Sequence, residues 1–307
     1  MLTYFAKRLL QIIPTLIGVT IFAFLLVAAV PGDPAQIIAG DTASPEEVQI
    51  IREQLGIDKP LFEQYTSYVG HIIKGDLGTS LRSSKPVLDE ILLRFPTTLL
   101  LTIMSLAIMI IVGLIAGIAS ATKPNSLRDN ASMMLSLFGI SMPVFWMGIM
   151  FILLFSYYLP WFPSGGSSEF KHFILPSLVL GLSASGILAR LTRSSILEIV
   201  NQDFVRTARA KGVKEKYVIY KHTLKNALVP IITIVGMEFG VLLGGAVITE
   251  TVFSMNGIGR YVVESIQFRD FPAIQGSILF ISMAFVLIIL LVDLSYSIVD
   301  PRIRYDN

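Results

Sequence analysis

Six apolar stretches, near Leu9–Val30, Thr98–Ala121, Met133–Tyr158, Phe173–Ala189, Leu228–Ile248 and Ile274–Val299, set what this chain can become. A helix needs ~20 residues to cross a hydrocarbon core of ~30 Å, and these runs are of that order. Inside lipid every backbone N–H and C=O must pair within its own segment, so the runs have to be helical. Charged residues make up only 15% of the chain, against ~25% in soluble domains, and the deficit falls in these runs. The pattern excludes a soluble globular domain. It predicts an all-α integral membrane protein with six transmembrane helices.

The first run follows Lys7 and Arg8. At about 22 residues it is too long for the apolar core of a signal peptide, so it is expected to stay as an anchor. Lys7 and Arg8, then Lys123 and Arg128, then the basic cluster from Arg190 to Lys225, then Arg302 and Arg304 all fall on one side of a six-span chain. Short loops rich in Lys and Arg stay inside, which makes that side, with both termini, cytoplasmic. The expected organisation is residues 1–30 as tail and first span, 31–97 as an extracytoplasmic lobe, 98–299 as the core transmembrane domain with a cytoplasmic loop at 190–227, and 300–307 as a cytoplasmic tail.

The lobe carries its own helix signals. Ser44-Pro45-Glu46-Glu47 reads as a capping box with proline at the first helical position, and Gly56 ends the helix. Leu61, Tyr65, Tyr68, Val69 and Ile72 recur at helical spacing over Leu61–Ile73. Such a lobe either shields the helix ends or receives a partner. Pro160–His172 reads as a simple turn with Trp161 and Phe162 in the interface, and Gly257-Ile258-Gly259-Arg260 as a tight turn without assigned chemistry.

Catalytic signals are missing. No Gly-x4-Gly-Lys-Ser/Thr sequence occurs; Gly70-His71-Ile72-Ile73-Lys74-Gly75 lacks the Lys and hydroxyl that reach phosphates and magnesium. His71, His172 and His222 lie in three loops with no acidic partner at ligand spacing, and there is no cysteine. The chain is expected to be non-enzymatic, to hold no cofactor or metal of its own, and to have no nucleic-acid partner.

Two carboxylates sit within spans. Glu238 lies mid-way along the fifth and, with Met237 and Gly240, reads either as lining of a solute path or as buried packing. Asp293 lies toward the inner end of the sixth and reads as structural. Gly236, Gly240 and Gly244 repeat every four residues, as do Gly113 and Gly117, so helices can approach closely or slide there. Pro14 and Pro143 remove a backbone donor and loosen or kink their helices.

The polar interruption from Arg190 to Ala227 has helical pattern. Asp203 is placed to cap a helix ending at Lys211-Gly212, with Phe204, Val205 and Ala208 on one face and Arg206, Thr207, Arg209 and Lys211 around it. A second helix from about Lys214 to Leu224 leads back toward Pro230. A basic amphipathic helix of this kind rests on anionic lipid or docks on a protein. The small apolar face suits a protein groove.

These residues resemble the membrane subunits of ATP-binding-cassette importers of the dipeptide/oligopeptide/nickel permease family. Their cytoplasmic loop carries Glu-Ala-Ala, three residues, Gly, nine residues and Ile-x-Leu-Pro. Here Ala208, Gly212 and Leu224 match, whereas Arg206, Thr207, His222 and Lys225 depart. Arg-Thr-Ala-Arg-Ala-Lys-Gly followed by His-x-Leu-Lys-Asn-Ala is similar to the peptide branch. Ile13-Pro14-Thr15-Leu16, Pro31-Gly32-Asp33-Pro34, Gly75-Asp76-Leu77-Gly78-Thr79-Ser80, Gly139-Ile140-Ser141-Met142-Pro143 and Asp300-Pro301-Arg302 extend the likeness, and Leu243-Gly244-Gly245 resembles the glutathione-importer branch.

The resemblance implies a type I importer permease fold and a first-permease (B-type) subunit. It implies pairing with a second homologous permease, two cytoplasmic ATPases that bind ATP and magnesium, and an extracytoplasmic binding protein that delivers a peptide-type solute. Asp203–Gly212 would be the coupling helix. An ion-coupled secondary transporter using Glu238 and Asp293, a membrane-bound enzyme or scaffold, and an importer of nickel chelates remain as alternatives.

Overall fold

The computed structural model describes residues 2–28, 34–40 and 43–299. Residues Pro31-Gly32-Asp33 and Asp300-Pro301-Arg302 and the side chains of Lys7, Arg8 and Asp293 lie outside the described set, as do residue 1 and residues 300–307. In chain order the helices are α1 (Leu2–Ala28), α2 (Pro34–Ala39), α3 (Pro45–Leu55), α4 (Leu61–Ile73), α5 (Val87–Thr122), α6 (Leu127–Ser141), α7 (Val144–Phe151), α8 (Lys171–Val200), α9 (Asp203–Ala210), α10 (Glu215–Tyr217), α11 (Leu224–Val252), α12 (Ile258–Gln267) and α13 (Phe271–Val299). Wide π-helical turns follow α7 (Ile152–Tyr158) and α10 (Val218–Thr223). No strand occurs among the described residues.

Among the described residues five helices are long and apolar enough to cross a membrane, and α6 with α7 makes a sixth if that bent pair is one span. The expected third span is therefore not straight. Its halves meet at 101°, because Pro143 cannot donate to the turn before it and instead heads α7. The fourth span is the larger correction. Expected to end near Ala189, α8 continues to Val200, so Arg190 and Arg193 belong to a helix rather than to a loop.

The chain divides into two compact units, one of Thr97–Arg260 with the described residues from 287 to 299, and one of the described residues from 2 to 96 with Tyr261–Val286. In the first, α8 is the axis, and Phe173, Leu175, Val179, Leu180, Leu188 and Ile196 are buried along it. Glycines let its neighbours touch it. A Cβ on Gly113 would stand 2.8 Å from Leu188 Cβ, and one on Gly117 would stand 2.6 Å from Thr192 Cβ. These pairs climb together, so α5 and α8 run parallel. Gly139 against the Leu182 carbonyl and Gly186 against that of Ser136 run the opposite way, so α6 is antiparallel to α8.

In the second unit the expected capping box forms. The Ser44 N–H donates to Glu47 Oε2 at 2.8 Å, the Glu47 N–H donates to Ser44 Oγ at 3.3 Å, and Gly56 closes α3 at φ 66°. α4 leans on α1, where the Thr20 and Tyr65 hydroxyls meet at 2.9 Å and Phe24 packs on Tyr65 and Tyr68. Of the residues at helical spacing, Tyr65, Tyr68, Val69 and Ile72 are half-buried and Leu61 is exposed. The Asp270 carboxylate accepts from Ser80 Oγ at 2.5 Å and from the Leu81 N–H at 3.1 Å, which ties residues 80–82 to the start of α13.

Candidate functional site

Eight residues are too few for a helix to persist alone in water, so α9 depends on what anchors it. Val205 is fully buried and Ala208 nearly so, and the helix packs on the end of α8 and on the π turn 218–223. Gly212 stops it at φ 76°, a left-handed conformation that side chains resist. Beyond it, Arg209 Nη2 and Nε donate to the two Glu215 oxygens at 2.8 and 3.1 Å. That pairing raises the Arg209 pKa further above its ordinary value.

Two details differ from the sequence reading. Asp203 does not cap α9: Gln202 holds the cap position, no side chain bonds there, and Asp203 is a first-turn residue 3.7 Å from Arg206. A carboxylate at that point still favours the positive end of the helix dipole. Phe204, Val205 and Ala208 fall within one side of the helix, but they are not equally covered. Val205 and Ala208 turn inward, whereas Phe204 is 42% exposed. The segment after Gly212 differs too: a one-turn α10 and a π turn run directly into α11, which passes Pro230 unbroken. The outer surface of α9 therefore presents Asp203, Phe204, Arg206, Thr207 and Lys211 on a backbone held from behind.

α8, the stem of α9, is locked to its neighbours by a pair that sequence reading missed. Arg193 Nε and Nη2 donate to Asp129 Oδ1 and Oδ2 at 2.8 and 2.7 Å, and Asp129 is almost wholly buried. Ser120 Oγ also donates to Asp129, and the Asn125 N–H reaches Oδ2 at 2.8 Å. In the sequence Arg193 belongs to the basic run that begins at Arg190, and Asp129, next to Arg128 in the second connection, carries no signal of its own.

On α11, Glu238 is 8% exposed and Met237 is 56% exposed. Consecutive residues turn by about 100° on a helix, so only Met237 lies on an open face of this chain, with Val241, Gly244 and Ile248. Of the glycine stripe, Gly236 is buried, Gly240 half-buried, and Gly244 has nothing within 4 Å of where a Cβ would be. Pro14 lies inside an unbroken α1. The Gly257–Arg260 turn, given no chemistry from its sequence, encloses the buried Glu250 carboxylate. His71 does have an acidic neighbour: its Nδ1 lies 3.1 Å from Asp76 Oδ2. The Gly78 N–H, with help from His71, holds the Asp76 carboxyl below its usual range.

Residues 109–305 match the family model described as a binding-protein-dependent transport system inner membrane component, and residues 1–102 match its N-terminal counterpart. The chain is 46% identical over 305 residues to the glutathione transport system permease protein GsiC of Escherichia coli strain K12, covering 99% of this chain and all of that protein. The GsiC protein of Salmonella choleraesuis strain SC-B67 is 45% identical over the same span. Among solved structures, an inward-facing MetNI methionine ABC transporter superposes with a TM-score of 0.59 at 18% identity, covering 69% of this chain and 96% of that one. A crystal structure of an amino acid ABC transporter superposes at 0.53, covering 67% and 92%. At that identity the likeness concerns the fold alone.

Proposed function

This chain belongs to the family of binding-protein-dependent transport system inner membrane components, and from that premise we infer that it is the B-type permease subunit of an ATP-driven importer of peptide-type solutes, glutathione first among them. Identity of 46% to GsiC over essentially the whole of both chains carries the solute assignment. Family membership displaces the secondary-transporter and enzyme readings. The chain itself hydrolyses nothing. It pairs with a second homologous permease in the bacterial inner membrane, and two cytoplasmic ATPases bind ATP and magnesium beneath the pair.

The geometry of α9 supports the coupling step. Its inner face is held by Val205 and Ala208, its end by Gly212 and its flank by Arg209–Glu215. Phe204 is left exposed with Thr207 one turn on from it, a small apolar anchor with a polar neighbour of the kind protein grooves accept. In this reading ATP-driven closure of the ATPases displaces α9, and α8 and α11, to which it is joined, carry that displacement into the spans. The extracytoplasmic binding protein delivers the solute to the lobe formed by residues 31–97. Delivery favours closure only to the degree that the binding protein discriminates between the two states.

Expression with the partner chains tests this. Two nucleotide-binding subunits should co-purify with the permease pair, and proteoliposomes should accumulate labelled glutathione only with ATP and loaded binding protein. Uptake without the ATPases would overturn the importer reading. Binding-protein-dependent uptake of a different peptide but not glutathione would overturn the solute alone.

A further inference from the structure

Arg193 lies two turns before the end of α8, and α9 begins three residues beyond that end. Any displacement of α9 therefore enters α8 next to this guanidinium. The guanidinium is held in a fork: Nε and Nη2 reach the two oxygens of Asp129 at 2.8 and 2.7 Å. Asp129 sits in the first turn of α6, whose N-cap Ser126 accepts its N–H at 3.3 Å. Ser120 from the last turns of α5 and the Asn125 N–H from the α5–α6 corner donate to the same carboxylate. One buried anion thus gathers four donors from α5, the corner and α8. Just before it, α5 and α8 approach at Gly117 too closely for any Cβ to stand between them.

We propose that Asp129 and Arg193 are positioning residues for transport, tying the α5–α6 corner to the α8 stem so that a displacement of α9 moves α5, α6 and α8 together. Burying the Asp129 charge beside a guanidinium that stays 28% exposed is a poor way merely to hold helices, because apolar residues do so without desolvating a carboxylate. What a planar, bidentate pair adds is fixed mutual orientation, which an ammonium ion cannot reproduce. The bond also joins elements distant along the chain, so it constrains the stem from a direction that α9 itself does not.

The inference rests on the coupling role given to α9, and the test separates the two. Arg193→Lys, Asp129→Asn and, as a reference, Gly212→Pro are each reconstituted with the partner subunits. Hydrolysis of ATP is measured with and without glutathione-loaded binding protein, beside the thermal unfolding temperature of each complex. The expected result is that Asp129→Asn loses stimulation by loaded binding protein in complexes that remain assembled, and that Arg193→Lys loses part of it. A purely structural role would lower the unfolding temperature while leaving the ratio of stimulated to unstimulated hydrolysis at the wild-type value, and that result overturns the proposal. If Asp129→Asn does not assemble, Arg193→Lys decides by the same ratio. Stimulation retained in all three variants, Gly212→Pro included, would sink the coupling reading itself. Stimulation lost only in Gly212→Pro would sink the positioning pair alone.

Discussion

The Glu250 carboxylate accepts the hydroxyl of Thr98 at 2.6 Å, joining residues 152 positions apart at a fully buried point. The Arg260 N–H donates to the same carboxylate at 3.0 Å, and the Ile258 N–H donates to Thr98 Oγ1 at 2.9 Å. The carboxyl group therefore caps α12 by accepting one of its first free N–H groups. Gly257 is needed because any Cβ there would fall on the carboxylate, and Gly259 because its Cβ would lie 2.5 Å from Val247 Cα.

Gly257→Ala is accordingly expected to destabilise the permease by about 1–3 kcal/mol, the usual cost of overfilling a packed site. Glu250→Ala should cost about 1–3 kcal/mol for each donor left unpaired, with Glu250→Gln between it and wild type. Thermal unfolding of the purified chain measures this order, and a Gly257→Ala protein as stable as wild type would contradict it.

Asp270 is the corresponding anchor in the second unit. It is buried, accepts from Ser80 and the Leu81 N–H, and takes the Ala273 N–H at 3.3 Å in the first turn of α13. Asp270→Ala should free residues 76–86, seen as faster hydrogen exchange at the Leu81 amide. Ser80→Ala, which leaves the backbone donors paired, should have a smaller effect. Unchanged exchange in Asp270→Ala would remove the anchor.

Much of this architecture was legible in the sequence, and what escaped has a common cause. Apolar runs and caps are local, so the spans, the Ser44–Glu47 box, α4 and the Gly212 stop of α9 could be read residue by residue. Asp129–Arg193, Thr98–Glu250 and Ser80–Asp270 join residues far apart in the chain, and no periodicity marks such pairs. The end of α8 was missed for a related reason: Arg190, Thr192 and Arg193 lower local hydropathy without breaking a helix. The side of α9 that turns inward depended on where α8 and the π turn lie, which no pattern within eight residues contains.

The glycines separate into two kinds. A Cβ at Gly117 would lie 2.7 Å from the Ala189 carbonyl as well as against Thr192, whereas one at Gly244 meets nothing. Gly117→Ala should destabilise the chain, and Gly244→Ala should stabilise it by up to about 1 kcal/mol through helix propensity. Unfolding temperatures of the two variants give the comparison. If Gly244→Ala unfolds earlier than wild type, the open face of α11 is packed in this chain after all.

Acid should act on residues 44–78 through two carboxylates. The Ser44 N–H, with the Ser44 hydroxyl, lowers the Glu47 pKa, and the Gly78 N–H chiefly lowers that of Asp76. A carboxylate depressed in the folded state contributes stability that is fully present above the unfolded value of about 4. That contribution disappears as pH falls through the lower folded value. Ser44 has φ −68°, close to the angle proline imposes. Ser44→Pro therefore removes both donors at a φ that proline can adopt, and carboxyl titration by NMR should show Glu47 return to the usual range. A Glu47 titration unmoved in that variant would refute the cause assigned.

The coupling role of α9 is tested most directly by ATP hydrolysis in the reconstituted complex, with Ala208→Leu and Gly212→Pro introduced together and loaded binding protein added or withheld. Ala208 is buried against the fold and Gly212 ends the helix, so the pair misplaces α9 while leaving its outward residues unchanged. Assembled complexes that no longer respond to loaded binding protein are the predicted result. A response equal to wild type would mean that α9 carries no signal, and the account would fail at its central step.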